Sequence, residues 1–88
     1  MEADNNLKYF RIFPLNEGFE VWVGKHSEAN DLLSFKYTKQ NDLWFHVRGT
    51  SGSHTILKLP VDFDGVIPKN YIKTAAEICA FYSKAKNA

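Results

Sequence analysis

Two short runs of alternating side chains do most to limit what this chain can fold into. In residues 19–23, Phe19, Val21 and Val23 fall on one face and Glu20 and Trp22 on the other. In residues 43–48, Leu43, Phe45 and Val47 alternate with Trp44, His46 and Arg48. A period of two marks a half-buried strand, because successive side chains point to opposite faces of a sheet. Both runs are rich in the aromatic and branched residues that fit a pleated surface. A third run, residues 9–13, is interrupted by Pro14 and joined through Leu15-Asn16-Glu17-Gly18 to residues 19–23. That link predicts a hairpin. Residues 54–59, closed by Pro60, form a second predicted hairpin with 43–48 across the glycine-bearing loop 49–53.

Helical patterns fill the remaining space. Gly24 ends the strand before it, Ser27 stands in the N-cap position, and Ala29, Leu32, Leu33 and Phe35 predict a short helix over about 28–36. Residues 40–42 read as a turn and residues 62–68 as a loop. Ile72, Ala75, Ala76, Cys79 and Tyr82 recur at helical spacing, so 68–86 holds the main helix. Pro68 suits its start, and Lys84 and Lys86 suit its end, where they complement the helix dipole. The predicted order is ββαββα. The fold class is therefore α+β: a small antiparallel sheet with one short and one long C-terminal helix covering one of its faces.

With 88 residues there is room for one domain and one thin core, and 44% apolar residues are too many for a disordered chain. The single cysteine, Cys79, precludes an internal disulfide, which small secreted domains normally need. A reducing, cytoplasmic setting is the expectation. Residues 1–7 are expected to be flexible; they are polar and lack the apolar segment of a signal peptide. No apolar run approaches the ~20 residues that span a bilayer, so no membrane partner is expected. Eleven basic against ten acidic side chains leave a net charge of +1. A broad positive surface for non-specific nucleic-acid binding is thereby excluded, and any cationic site must be local.

The densest polar stretch is 42–54. A strand there presents Trp44, His46 and Arg48 side by side, a loop with Gly52 and Ser53 follows, and His54 returns on the neighbouring strand. Such an array can stack a base on a ring, hold a phosphate through Arg48 and loop amides, and read polar edges through histidine. Each residue also has a plainer reading: Trp44 as core, the histidines as sheet residues bonded to backbone, Arg48 as the partner of Asp42 or Asp31. A second cluster, Lys25 with Asn30 and Asp31, opens the short helix and reads either as an anion site or as an ordinary capped helix. The spacing of His46 and His54 fits no zinc pattern, and one cysteine excludes a cysteine-based finger. Ser53 and His54 are adjacent on a strand and point to opposite faces, so they do not form a nucleophile–base pair. No metal, no cofactor and no catalytic residue is expected. Cys79 falls on the apolar helix face as a buried thiol.

These blocks resemble, in order and spacing, those of the NFACT-R (NFACT RNA-binding) domain family, here as a short stand-alone form. Gly18 to Val23 with Gly24-Lys25 is similar to its first strand, Asn30-Asp31 to its Asn-Asp pair, and Asp42-Leu43-Trp44-Phe45-His46-Val47-Arg48 to its central motif. Gly52-Ser53-His54 is similar to its Gly-Ser-His block, and Ala75-Ala76 through Lys86 to the helix that follows, so that the resemblance spans about residues 8–87 of a single domain. Two departures stand out. Ser51 replaces the family's common proline, and the strands with a basic segment that usually follow this helix do not follow residue 88 in this sequence, from which an open sheet edge is the expectation.

The resemblance implies an RNA-binding module in ribosome-associated quality control of stalled chains. Its partner would be tRNA or ribosomal RNA on the large subunit, with no catalysis of its own. The residues it singles out are Lys25, Asn30, Asp31, Asp42, Trp44, His46, Arg48, Ser53 and His54. Lys25 and Arg48 would contact phosphates and Trp44 or His46 a base, while Asn30, Asp31 and Asp42 shape the site. The alternative is a protein-interaction module in which the open edge pairs with another chain, including a second copy.

Overall fold

In a computed structural model, which describes residues 8–47 and 52–87 and side chains only as far as residue 83, the Asn16–Gly18 link reverses the chain as one 3-10 turn. Glu17 (φ 64°) and Gly18 (φ 85°) both take the left-handed conformation, which glycine adopts at little cost. Gly18 is also tight: a Cβ there would lie 3.3 Å from Cγ of Pro60. The turn joins β1 (Phe10–Pro14) to β2 (Glu20–Gly24). The two pair antiparallel with Phe10 opposite Gly24 and Pro14 opposite Glu20, so Pro14 ends β1 rather than interrupting it.

After β2 the chain forms α1 (Ser27–Leu32) and, without a break, a π-helical turn (Leu33–Tyr37). Then come β3 (Leu43–Phe45), β4 (Thr55–Lys58) and α2 (Lys69–Asn87). The second hairpin forms as expected, with Leu43 opposite Leu57 and Phe45 opposite Thr55. β4 also pairs antiparallel with β2, and the four described strands lie in the order β1-β2-β4-β3. The α+β class and the element order therefore hold. β3 is shorter than the run expected over 43–48, and Arg48 lies outside the described residues.

The expectation that the helices share one face of the sheet does not hold. Phe19, Val21, Val23 and Leu57 pack with Tyr71 and Ala75 of α2. Trp22 and Ile56, which point the other way, pack with Phe10 and with Ala29 and Leu33 of α1 and the π turn. The sheet is the middle of three layers, and β2 is buried on both sides instead of half-buried. Trp22 makes this workable. Its ring is buried against Phe10 and Tyr37, and its indole N–H donates to Oε1 of Glu20 at 2.9 Å, so no polar atom is stranded. Each such large side chain, fully buried, contributes about 1.5–3 kcal/mol.

The long helix presents Tyr71, Ala75 and Cys79 to the sheet, one turn apart. Ala76, expected on that face, is exposed; Tyr71, not expected there, is buried. Tyr71 packs against Phe19 and donates its hydroxyl to Oε1 of Glu17 at 3.3 Å, tying α2 to the first turn. Burial raises its phenol pKa above the ordinary 10.0, and the neighbouring Glu17 carboxylate raises it further by charge and by accepting the hydrogen bond.

Candidate nucleic-acid interface

Three rings, two from the central motif and one from the Gly-Ser-His block, meet at the β3 side of the sheet. Trp44 lies on β3 opposite Ile56, hence on the α1 side, and the residue is 52% exposed. His46 stacks on Trp44 with centroids 5.7 Å apart and planes 12° from parallel. His54 meets both edge-on, 5.4 Å from Trp44 and 5.2 Å from His46. The core reading of Trp44 is thus set aside. Trp44 stays half exposed beside two imidazoles.

His54 is held by its surroundings. Its backbone N–H donates to Oδ1 of the buried Asn30 at 3.1 Å, and its carbonyl accepts from the N–H of Gly24 at 3.1 Å. Its Nδ1 lies 2.9 Å from Oγ of Ser34. Asn30 is therefore an internal strut rather than an exposed contact: it links α1 to the start of β4 and so fixes the ring that backs Trp44. It can approach so closely because residue 24 has no side chain. A Cβ there would sit 2.1 Å from Oδ1 of Asn30. The glycine that reads in sequence as a strand end is, in space, a clearance for Asn30.

Lys25 follows immediately and is exposed, its backbone N–H bonded to the carbonyl of Tyr9 at 3.0 Å. Its neighbours are Arg11, Phe13 and Tyr82, so Lys25 stands by β1 and the end of α2, across the sheet from β3 and its rings. The cap of α1 is His26, not Ser27: Nδ1 of His26 accepts the N–H of Ala29 at 3.3 Å, and its ring packs edge-on against Tyr9. Asp31 is exposed on α1.

Asp42 does different work. Its Oδ2 accepts the N–H of Lys39 at 2.9 Å and pairs with Nζ of Lys58 at 3.0 Å, while Oδ1 accepts the N–H of Leu59 at 3.1 Å. The carboxylate is 3% exposed. Lys58 also donates to the carbonyl of Tyr37 and sits over the Trp22 ring. This network fastens the turn before β3 to the end of β4 and closes the π turn. Asp42 thus pairs with Lys58 and is spent on the frame. Ser53 is buried too, and its carbonyl accepts a weak bond from the buried Cys79 thiol at 3.7 Å.

The structure thus brings Trp44, His46 and His54 into one cluster with Asn30 beneath it, and leaves Lys25 apart from it, beside β1. It sets Asp42 and Ser53 inside and Asp31 on the open face of α1, with Arg48 outside the described residues. Sequence reasoning missed Ser34, the side-chain partner of His54, and Lys58, the partner of Asp42. Ser34 carried no motif signal. Lys58 had a faint one, a charged residue closing an apolar strand. Among the described residues no group of three or more His, Cys, Asp or Glu side chains is placed to hold a metal, and no helix is long and apolar enough to cross a membrane.

Comparison with known proteins agrees with the motif blocks. The family described as the NFACT protein RNA-binding domain matches residues 8–88. The Rqc2 homolog RqcH of Streptococcus suis is 39% identical over 69 residues, 77% of this chain and 12% of that protein. The Bacillus subtilis Rqc2 homolog RqcH is 30% identical over 71 residues, 81% of this chain and again 12% of the relative. A solved structure of the C-terminal part of the fibronectin/fibrinogen-binding protein from Streptococcus suis matches with a TM-score of 0.66 at 34% identity, over 91% of this chain and 31% of that one. The chain spans about an eighth of the length of these curated relatives.

Proposed function

The chain belongs to the NFACT protein RNA-binding domain family, and from that premise we propose that it is an RNA-contacting module, without catalysis of its own, that acts in the cytoplasm on tRNA or ribosomal RNA during ribosome-associated quality control. The observation that carries this reading is the half-open Trp44 ring, backed by His46 and His54. An exposed aromatic face on a rigid strand is what a base stacks on. Arg48 supplies a cation from the end of the central motif, and Lys25, with Arg11 beside it, a second positive point further along the surface by β1. Asn30 and Asp42 hold the frame, and Asp31, an exposed carboxylate, keeps phosphate away from that side of α1. Such a module tolerates sequence, because every base has a face to stack. Its link to stalled ribosomes rests on the relatives named Rqc2 homologs.

The test is an amide NMR titration of the 88-residue chain with bulk tRNA at low and near-physiological salt. Shifts are expected at Lys25, at Trp44 and His46, and at Gly52–His54, shrinking as salt rises. No shift even at low salt rejects the proposal.

A second reading follows from the sheet order. β1 and β3 are its outer strands, and β1 offers five residues of edge to a strand from another chain, a second copy included. Dimerisation that depends on concentration and ignores RNA is its mark.

A further inference from the structure

The π turn carries a second open ring. Leu33–Tyr37 is wound as a π turn: Thr38 N–H reaches the carbonyl of Leu33 at 3.0 Å, and the Thr38 hydroxyl bonds the same carbonyl at 2.7 Å. Phe35, two residues past the buried Leu33, falls on the opposite side of this turn and is 88% exposed. A lone exposed phenylalanine is ordinary on a protein surface. This one is set apart by its anchorage. Leu33 is fully buried, Ser34 is bonded to the His54 ring, and Tyr37 packs on Trp22. The turn is fixed on both sides of Phe35. It lies on the α1 side of the sheet, where Trp44 also stands, and the contacts run unbroken from Trp44 through His54 to Ser34, the residue before Phe35.

We infer that Phe35 is a second stacking platform beside Trp44, and that the site takes unpaired bases of a single-stranded RNA segment rather than a duplex. This rests on the RNA-contacting reading above. Two rings on rigid supports can each receive the face of a base, whereas an A-form duplex keeps its base faces inside the stack and offers only backbone and groove edges. The modest net charge of +1 points the same way. A duplex binder relies on many phosphate contacts, and a stacking site needs few.

The test measures binding of the 88-residue chain to a labelled oligoadenylate 12-mer and to a blunt RNA duplex of equal length, by fluorescence anisotropy at low salt. Wild type, Phe35→Ala and Trp44→Ala are compared. The single strand is expected to bind more tightly than the duplex, and Phe35→Ala to weaken the single strand about 5- to 100-fold while leaving the duplex unchanged. Because Phe35 is so exposed, its replacement leaves the melting temperature unchanged, which separates lost contact from lost fold. The inference is overturned if Phe35→Ala binds the strand within twofold of wild type while Trp44→Ala is weakened; the RNA-contacting reading then stands without Phe35. A preference for the duplex overturns it equally. If wild type binds neither RNA, both readings fall together.

Discussion

Oδ1 of Asn30 occupies the space that a side chain on residue 24 would need, with only 2.1 Å between it and an added Cβ. The pair acts as one device: the glycine gives clearance, and the asparagine uses it to reach the N–H of His54. Gly24→Ala should cost about 1–3 kcal/mol, as overpacking does. Asn30→Ala should cost about as much by removing a buried acceptor. In the double variant the clash with Oδ1 is gone, so the losses should fall short of additive. Urea denaturation of the three variants measures this, and strict additivity would show that the two residues act separately.

Asp42 and Lys58 test whether that carboxylate is structural. Asp42→Asn leaves an acceptor for Leu59 but strands the Lys58 ammonium between Tyr37 and Trp22. The expected loss lies near the lower end of about 3–5 kcal/mol, because Lys58 keeps 15% exposure. RNA affinity of the folded fraction should not change. A stable variant with altered RNA binding would place Asp42 in the interface.

Stacking and charge can be separated by salt. Trp44→Ala should lower RNA affinity by about 1–3 kcal/mol at every salt concentration, as loss of a stacked base does. Lys25→Ala should weaken binding less and flatten the slope of log affinity against log salt by about 0.7–0.9, the value of one phosphate contact. Isothermal titrations at three salt concentrations distinguish the two patterns. If Trp44→Ala moved the slope and Lys25→Ala did not, the assigned roles would be wrong.

Tyr71 sets an alkaline limit. Its phenol pKa is raised in the folded chain, first by burial and then by Glu17. The unfolded chain therefore releases this proton at lower pH than the folded one. The contribution is complete below about pH 10 and is lost as pH rises through that value toward the folded pKa. Thermal unfolding between about pH 8 and about 11 should show wild type losing stability more steeply than Tyr71→Phe, which has no proton to release there. Parallel curves would mean that Tyr71 ionises alike in both states.

Local patterns carried much of the fold. Period-two runs located β2 and β3, short runs bounded by turns and prolines located β1 and β4, and helical spacing located α2 to within about a residue at each end. Two things escaped. Alternation in β2 implies inside against outside, but Glu20 bonds the Trp22 indole and α1 covers that side, so both faces are buried. Only tertiary packing decides this. The π turn also left no trace, because Leu32, Leu33 and Phe35 suit an ordinary helix; the wider winding comes from the buried Leu33 and the Thr38 bonds. Within the site, Trp44, His46 and His54 were legible because their strands could be paired in register. The strut role of Asn30 was not, since it depends on a clearance that appears only when β2, α1 and β4 are assembled.

The pairing of β2 with β4 has a further consequence for motion. Gly24 and Thr55 end and begin those strands, and every residue assigned to the interface, from Lys25 to His54, lies in the chain between them. The interface is thus one closed excursion pinched at its base by β2–β4 hydrogen bonds. It cannot open piecemeal without straining that pinch, and a ligand that rigidifies the excursion must slow hydrogen exchange at the amides of both strands. The base of the loop would report occupancy of its tip, at positions no ligand touches.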